Sequence, residues 1–300
     1  MQTSLSALCL SYLCNDLYNE MVKKRLLGIC IFVMVAFVSS AQIVTPHNQN
    51  RINADSVRRE LDNGPYFTLY KDNYFVAGTT IGQRPTRTNS DVKFQISIAQ
   101  RLTKSTLPFN TYLFLFYSQK CMWNVFENSM PMRDFNFNPG IGLAKHLFVR
   151  GQYIGKLTFM VEHESNGRDG IESRSWNKIS LGCNVFIDPN FMVHGKAWIP
   201  IIDGQNNKDI LDYGGIYQVG MMANSQNKRF SFALTMVKRR GWNLNYNSIW
   251  EISYRIFKKD NQFLFLQYYN GYGENLLDYN RFHSRLRMGI VIKPQLFSDF

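Results

Sequence analysis

The 300-residue sequence predicts an all-β protein, a transmembrane antiparallel β-barrel with roughly a dozen strands. Three observations predict this fold. Apolar and polar residues alternate with a period of two along many segments, for example residues 92–98 and 230–236. These segments run for about nine to eleven residues, the length that a tilted strand needs to cross a bilayer. Aromatic residues are concentrated near the segment ends, as in the interfacial girdles of membrane barrels.

Composition excludes several other classes of protein. The chain has no run of about eighteen apolar residues, which excludes a polytopic helical membrane protein. Its five cysteines lack metal-ligand spacing, and whether Cys121 and Cys183 pair is left open. The formal net charge of +12 is dispersed, so we expect no nucleic-acid partner and instead an anionic membrane surface. A soluble periplasmic β-sandwich would also alternate and is kept as an alternative.

The beginning of the sequence has the features of a targeting segment. A basic stretch from Lys23 to Arg25 precedes an apolar run and small residues ending at Ala41, the pattern of a secretory signal peptide. We therefore expect residues 1–20 to be an upstream extension, 21–41 the signal peptide, 42–63 a polar N-terminal periplasmic arm and 64–300 the transmembrane β-barrel domain.

One predicted hairpin places three polar residues on an apolar face. In its first strand Tyr153, His163 and Ser165 are in phase with the apolar residues, whereas Glu162 is in phase with the charged ones. In its second strand Asn177 is in phase with the apolar residues. If the charged face lines the lumen, the histidine, the serine and the asparagine all point outward, toward lipid, on neighbouring antiparallel strands.

These residue types suit nucleophilic hydrolysis. A serine hydroxyl is a weak nucleophile until a histidine accepts its proton, and the histidine needs a third group to fix its tautomer. Polar groups on a lipid-facing surface are unfavourable, so three of them in phase favour a catalytic role over a chance pairing. The hypothesis from the residues is a hydrolase with Ser165, His163 and Asn177 in these roles.

The same region resembles a known family. Residues 163–168 (His-Glu-Ser-Asn-Gly-Arg) and 173–177 (Ser-Arg-Ser-Trp-Asn) are similar to the signature of the outer-membrane phospholipase A family. The likeness extends through residues 65–70, 117–120 and 271–280, and so covers essentially the whole mature chain. The resemblance implies a twelve-stranded outer-membrane barrel that hydrolyses acyl esters of membrane phospholipids, with calcium (Ca2+) and as a homodimer.

The resemblance also implies roles for individual residues. Ser165 matches the nucleophile, His163 the general base and Asn177 the group that orients the base. Gly167 matches the position whose main-chain N–H contributes to the oxyanion hole, a kind of donor that stabilises the transition state by roughly 3 kcal/mol. Glu164 departs from the family, which has glutamine between the histidine and the serine.

Calcium ligands and a dimer contact follow from the resemblance alone. Arg168 (through its carbonyl oxygen) and Ser173 match calcium ligands, and Ser129 matches the ligand supplied by the partner subunit. Residues 205–206 (Gln-Asn) lack the acid that would make a further calcium contact. Gln119 faces the dimer partner if the resemblance holds, and a lumen-lining position is the open alternative.

A second function class is a non-enzymatic outer-membrane pore or structural barrel. It predicts an open lumen that conducts ions. The many Glu, Lys and Arg residues on the inward faces instead favour a salt-bridged, closed interior.

Overall fold

The structure, a computed structural model, describes residues 54–202, 204–257 and 260–294. Within these ranges the chain forms thirteen strands, two short α-helices and two 3-10 turns. The strands are β1 (Phe67–Leu69), β2 (Asn73–Thr80), β3 (Ser90–Arg101), β4 (Thr111–Trp123), β5 (Met132–Val149), β6 (Gln152–Ser165), β7 (Ser175–Asp188), β8 (Phe191–Ile201), β9 (Tyr217–Asn224), β10 (Phe230–Lys238), β11 (Tyr246–Arg255), β12 (Gln262–Gly271) and β13 (His283–Ile292). The helices are α1 (Ala54–Asp62) and α2 (Ile210–Gly214), and the 3-10 turns are Pro108–Asn110 and Gly170–Glu172.

The strands close into one antiparallel barrel. Each strand from β2 to β12 pairs with the strand that follows it, and β13 pairs with β2. The ring therefore has twelve strands and, in the described chain, no free edge. The short β1 pairs with the last part of β3 and β2 with its first part, so β1 and β2 occupy one ring position that is interrupted at residues 70–72. The predicted twelve-stranded antiparallel barrel is confirmed.

The two ends of the barrel differ in their connections. The connections after β5 and β7 are turns (150–151 and 189–190), whereas those after β6, β8 and β12 are long loops (166–174, 202–216 and 272–282). We call the end that carries these three loops the long-loop end. In outer-membrane barrels the longer loops are extracellular and the short turns periplasmic.

The two faces of the wall follow the predicted phase. On β6, Val161 is 47% exposed on the outer surface, while Glu162 beside it is 2% exposed in the lumen. On β7, Leu181 is 54% exposed and Ser180 is 1% exposed. Successive side chains of a strand point to opposite faces, so the apolar set covers the outside and the polar set fills the inside.

Buried ion pairs cross the lumen. The fully buried Arg287 donates from Nε to Asp91 Oδ1 (2.7 Å) and from Nη1 to Glu274 Oε1 (2.6 Å), and Lys93 Nζ is 3.2 Å from the same Glu274 oxygen. Burial opposes the ionisation of Glu274, but Arg287 and Lys93 outweigh it and hold the pKa of that carboxyl well below its usual range. The lumen is therefore salt-bridged, as the inward charges predict.

A helix that the sequence reasoning does not predict lies in the expected N-terminal arm. Residues 54–62 form α1, while residues 1–20, 21–41 and 42–53 lie outside the described residues. Arg101 at the end of β3 donates to the carbonyl oxygens of Leu61, Asp62 and Gly64 at 2.8–2.9 Å. Because the last carbonyls of a helix have no partner within it, this guanidinium stabilises the end of α1.

One predicted side-chain direction is wrong. The alternation predicts that Tyr153 shares the outer face with His163, yet its ring lies 5.6 Å from the ring of His146 and 6.2 Å from that of Phe186, on the lumen side. The β5–β6 register shifts close to Gly155, whose φ of 149° is a conformation that favours glycine. A bulge of one residue reverses the faces to which the preceding side chains of the strand point.

Two smaller questions are settled by the described chain. Cys121 on β4 and Cys183 on β7 are both free, so they do not pair. No helix in the described ranges is long and apolar enough to cross a membrane.

The lumen network can be tested through its central cation. Replacing Arg287 by leucine leaves Asp91 and Glu274 without the cation they share, and we expect a loss of ~3 kcal/mol or more in the free energy of unfolding, because removing one partner from a buried group of ion pairs is strongly unfavourable. Urea titration in lipid vesicles measures this quantity. The control is Arg281→Leu, whose side chain is 70% exposed and whose pair with Asp278 contributes about 0–1 kcal/mol. Equal losses in both variants would contradict the assignment.

Candidate active site

The predicted hairpin brings His163 and Asn177 into contact. Strands β6 and β7 pair with His163 opposite Asn177 and Ser165 opposite Ser175. His163 Nδ1 lies 2.8 Å from Asn177 Oδ1. An amide oxygen only accepts hydrogen bonds, so in this contact Nδ1 carries the proton and Nε2 is left as an acceptor. The contact therefore selects the tautomer that a general base needs.

Strand geometry explains why these two side chains meet. The main-chain oxygen of His163 accepts a hydrogen bond from Asn138 Nδ2 on β5 at 2.9 Å. The N–H and C=O of one strand residue point to the same side, so the main chain of His163 faces β5 and not β7. Its pair with Asn177 is then of the type without main-chain hydrogen bonds, in which opposite side chains are closer together.

Ser165 is the last residue of β6 and shares the outer face with His163. It lies opposite Phe137 on β5, and the rings of Phe137 and Phe135 stack with centroids 6.1 Å apart. In the described chain the Ser165 hydroxyl and the imidazole make no hydrogen bond to each other. Catalytic hydrogen bonds are often long before substrate binds, so the arrangement is compatible with a nucleophile and its base.

Gly167 follows in a conformation that requires glycine. Its φ is 65°, in the left-handed region, and a Cβ built at this position would lie 2.8 Å from a ring carbon of Phe137. A side chain would be both strained and obstructed there. Glycine is therefore required at this position, two residues after Ser165, where the resemblance predicts a main-chain donor to the oxyanion.

The buried Asn166 organises the loop that carries the predicted calcium ligands. Its Oδ1 accepts from the main-chain N–H of Arg174 (3.0 Å) and of Arg168 (3.4 Å), and its Nδ2 donates to the carbonyl of Glu172 (2.8 Å). One side chain thus holds both ends of the loop. Asn206 adds a bond from its Nδ2 to the carbonyl of Gly170 at 2.8 Å.

The predicted calcium ligands fall into two groups. Arg168 and Ser173 lie in the same loop, whereas Ser129 lies in the connection after β4, exposed and with a φ of 65°. The side chain of Arg168 donates to Glu172 and to the carbonyl of Arg133. A guanidinium has no acceptor, so the candidate ligand of this residue is its carbonyl oxygen. A carbonyl and a hydroxyl oxygen held in one loop fit a hard cation such as calcium.

Acidic groups do not form a separate metal centre near this loop. The described residues contain no group of three or more His, Cys, Asp or Glu side chains that could hold a metal ion. Asp134 Oδ1 is buried without a hydrogen-bond partner in the described chain, 4.0 Å from Arg168 Nε.

Charged residues form ion pairs on the lumen side of the same hairpin. Glu164 pairs with Lys178 at 2.7 Å and accepts from Trp176 Nε1 at 3.0 Å. Glu162 pairs with Lys196 on β8 at 2.5 Å. These bonds connect β6, β7 and β8 directly behind His163 and so help to hold the register that the His163–Asn177 contact requires.

Three asparagines that hold this site have no role predicted from the sequence. Asn138 bonds the carbonyl of His163, Asn166 holds the loop, and Asn207 bonds both main-chain groups of Ser175 (N–H at 3.3 Å, C=O at 2.8 Å). Only Asn166 carries a local signal, because asparagine before glycine is typical of a turn. The other two lie on distant segments and become partners through the fold.

Gln119 is on the outer face of the barrel. It lies opposite Ile96, which is 51% exposed, and its Oε1 accepts a hydrogen bond from the hydroxyl of Tyr117 at 2.8 Å. Between the two alternatives that the sequence leaves open, the structure excludes the lumen.

Known proteins resemble this chain over most of its length. A family profile described as phospholipase A1 matches residues 50–292. Phospholipase A1 of Salmonella typhimurium is 27% identical over 292 residues, which are 90% of this chain and 98% of the relative.

Two solved structures share the fold. The outer membrane phospholipase dimer of Salmonella typhi with bound calcium is 26% identical, with a TM-score of 0.67 over 82% of this chain and 99% of that one. Outer membrane phospholipase A of Escherichia coli, as an active-site mutant in which alanine replaces an asparagine, is 27% identical, with a TM-score of 0.66 over the same shares.

The tautomer of His163 tests the geometry of this site. Replacing Asn177 by leucine removes the acceptor at Nδ1, and we expect the neutral imidazole to change from the Nδ1–H form to a mixture of both tautomers. Nitrogen-15 chemical shifts of labelled histidine, in detergent micelles, measure this change. The matched control is Asn184→Leu, on the same strand but opposite Lys156 and His194. Unchanged His163 shifts in the Asn177 variant would contradict the assignment.

Proposed function

Because the chain belongs to the phospholipase A1 family, we propose that it hydrolyses acyl esters of glycerophospholipids and lysophospholipids with Ser165, His163 and Asn177, and that calcium and dimerisation activate it. The observation that carries the proposal is the 2.8 Å contact between His163 Nδ1 and Asn177 Oδ1, on the outer face beside Ser165. The contact supports a nucleophile, a base and an orienting group at one place on the wall.

Family membership and the barrel fold also settle the broader predictions. The chain is a phospholipase of the outer membrane, with a twelve-stranded antiparallel barrel. The predicted family, enzyme class and location are confirmed. A soluble β-sandwich is contradicted by closure of the strands, and the buried ion pairs of the lumen speak against an open pore.

The direction of the site favours a lipid substrate. His163, Ser165 and Asn177 share the outer face with exposed apolar residues such as Val161 and Leu181, whereas the lumen behind them holds paired charges. An acyl ester in the adjoining leaflet can reach Ser165 without entering the barrel. Phe135 and Phe137 lie beside it on the outer face and offer an apolar surface to an acyl chain.

The first chemical step forms an acyl-enzyme. The Ser165 hydroxyl oxygen attacks the ester carbonyl carbon while His163 Nε2 takes the hydroxyl proton, and Asn177 Oδ1 stabilises the imidazole orientation through Nδ1–H. The carbonyl oxygen becomes an oxyanion near the N–H of Gly167. When the C–O bond to the glycerol oxygen breaks, His163 returns the proton to that leaving oxygen.

The second step releases the fatty acid. A water molecule gives a proton to His163 Nε2 as its oxygen attacks the acyl-enzyme carbon, and the proton then returns to Ser165 Oγ as the ester bond breaks. The same base serves both steps, so loss of His163 or Ser165 removes the pathway. Asn177 contributes orientation without the negative charge that an aspartate would provide.

Calcium and a second subunit complete the proposal. The Salmonella typhi relative is a dimer with bound calcium. In this chain the carbonyl oxygen of Arg168 and the hydroxyl of Ser173 would hold the ion, with Ser129 supplied by the partner subunit, and Gln119 on the outer face would lie in the dimer contact. When bound, the cation supplies positive charge that stabilises a nearby oxyanion.

Removal of the nucleophile is the direct test. We expect Ser165→Ala to lower acyl release from mixed detergent–phospholipid micelles by ~10³-fold or more, because the acyl-enzyme cannot form without the Ser165 hydroxyl. The heat-dependent gel mobility of a folded barrel should be unchanged. Ser225→Ala, in the turn between β9 and β10 at the opposite end, should retain activity. Surviving hydrolysis in the Ser165 variant would refute the triad.

Calcium dependence has its own test. Excess chelator should abolish acyl release, and Ser173→Ala should raise the calcium concentration needed for half-maximal activity, because one oxygen ligand is lost. Asp169→Asn is the matched control, since that carboxylate lies in the same loop and we expect it to stay solvated. Activity that does not change with chelator would contradict the roles of Ser129, Arg168 and Ser173 as calcium ligands. It would not contradict the catalytic roles of Ser165 and His163.

A further inference from the structure

A proline interrupts the barrel wall directly beside His163. The β5–β6 register pairs Phe137 with Ser165 and Gly140 with Glu162, which places Pro139 opposite His163. The pairs at 138/164 and 139/163 are the ones missing from an otherwise continuous register between residues 137 and 147. Proline has no N–H, so the ladder lacks a donor at this position.

The pattern of missing pairs identifies the lost bond. In an antiparallel ladder the pairs alternate between those that exchange two main-chain hydrogen bonds and those that exchange none. The main chain of His163 faces β5, so 139/163 is a position where the two residues would exchange hydrogen bonds. The bond from the N–H of residue 139 to the oxygen of His163 would belong to that pair and would also border the neighbouring pair at 138/164. Those are the two pairs that are absent. The bond that Pro139 removes is therefore the one to the carbonyl of His163.

A side chain supplies the missing donor. Asn138 Nδ2 lies 2.9 Å from the main-chain oxygen of His163, a normal distance for an amide donor. The same nitrogen lies 3.4 Å from Glu162 Oε2, and Glu162 pairs with Lys196. The side chain of Asn138 thus makes the hydrogen bond that the main chain of residue 139 cannot make. It also connects the carbonyl of His163 to the charged residues of the lumen.

We propose that Asn138 is a positioning residue for the reaction: by bonding the carbonyl of His163 it holds β6 against β5 and sets where the imidazole stands relative to Ser165 and Asn177. This inference rests on the proposed function of those three residues. The contact on the β7 side is made by side chains alone, so the main chain of His163 depends on β5 for its position. Without the amide, its carbonyl loses its partner inside the wall.

The proposal is tested with a deletion and a rescue. We expect Asn138→Leu to lower kcat by ~10- to 100-fold with little change in KM, since small displacements of a catalytic group have effects of this size. Adding Pro139→Ala to that variant restores a main-chain N–H opposite the carbonyl of His163, and we expect most of the lost kcat to return. A merely structural role of Asn138 predicts instead a loss of the folded barrel on gels, with an unchanged kcat for the protein that does fold.

A second proline provides the matched control. Pro200 lies in the wall on β8, opposite Lys178, where the register is not interrupted. Pro200→Ala adds an N–H that cannot reach His163, so Asn138→Leu with Pro200→Ala should stay as slow as Asn138→Leu alone. Amide hydrogen exchange at position 139, measured in the Pro139→Ala variant, should show a protected proton.

The outcomes separate the two proposals. Activity that survives Ser165→Ala overturns the proposed function itself. Loss of activity in that variant together with wild-type kcat in Asn138→Leu overturns only the role of Asn138, and so does equal rescue by Pro139→Ala and Pro200→Ala. If the leucine variant does not fold, Asn138→Asp keeps the size and lacks the amide donor, and wild-type kcat in it would equally overturn the role.

Discussion

The closed ladder of main-chain hydrogen bonds is the constraint on which the rest of this structure depends. No water is available inside a bilayer to replace a missing partner, so each strand from β2 to β13 pairs on both sides. Near the site, where the wall meets a proline or gives way to loops, side-chain amides of Asn138, Asn166 and Asn207 bond the main chain instead. These asparagines extend the same requirement to irregular backbone.

Because the barrel is closed, the inner and outer faces of its wall have different roles. The inner face carries charges that must be paired, and Glu162–Lys196 and Glu164–Lys178 lie directly behind the outer residues His163 and Asn177. Buried ion pairs add little net stability compared with apolar packing, but a mispaired charge is strongly unfavourable. Their contribution here is to the register, and the register sets the outer site. The outer face is then free to present polar chemistry to lipid.

Much of the site could be predicted from local alternation, and the failures have identifiable causes. The phase of His163 and Asn177 was predicted correctly because both lie in regular stretches of β6 and β7. The alternation predicts the wrong face for Tyr153 because a bulge close to Gly155 reverses the phase, and one extra residue cannot be recognised in a pattern with a period of two residues. Alternation does not predict helix α1, and Arg101, which stabilises its end, lies far along the chain.

The sequence by itself determined which face of each regular strand is apolar, that one hairpin carries a serine, a histidine and an asparagine in phase, and that the inner face is charged. The tertiary structure alone decided that β13 closes on β2, that Arg287 meets Asp91 and Glu274, and that Asn138 lies against the carbonyl of His163. The reason is physical. Alternation is a property of one strand, whereas register and closure depend on strands that are distant in sequence and are set only when all the pairings form together.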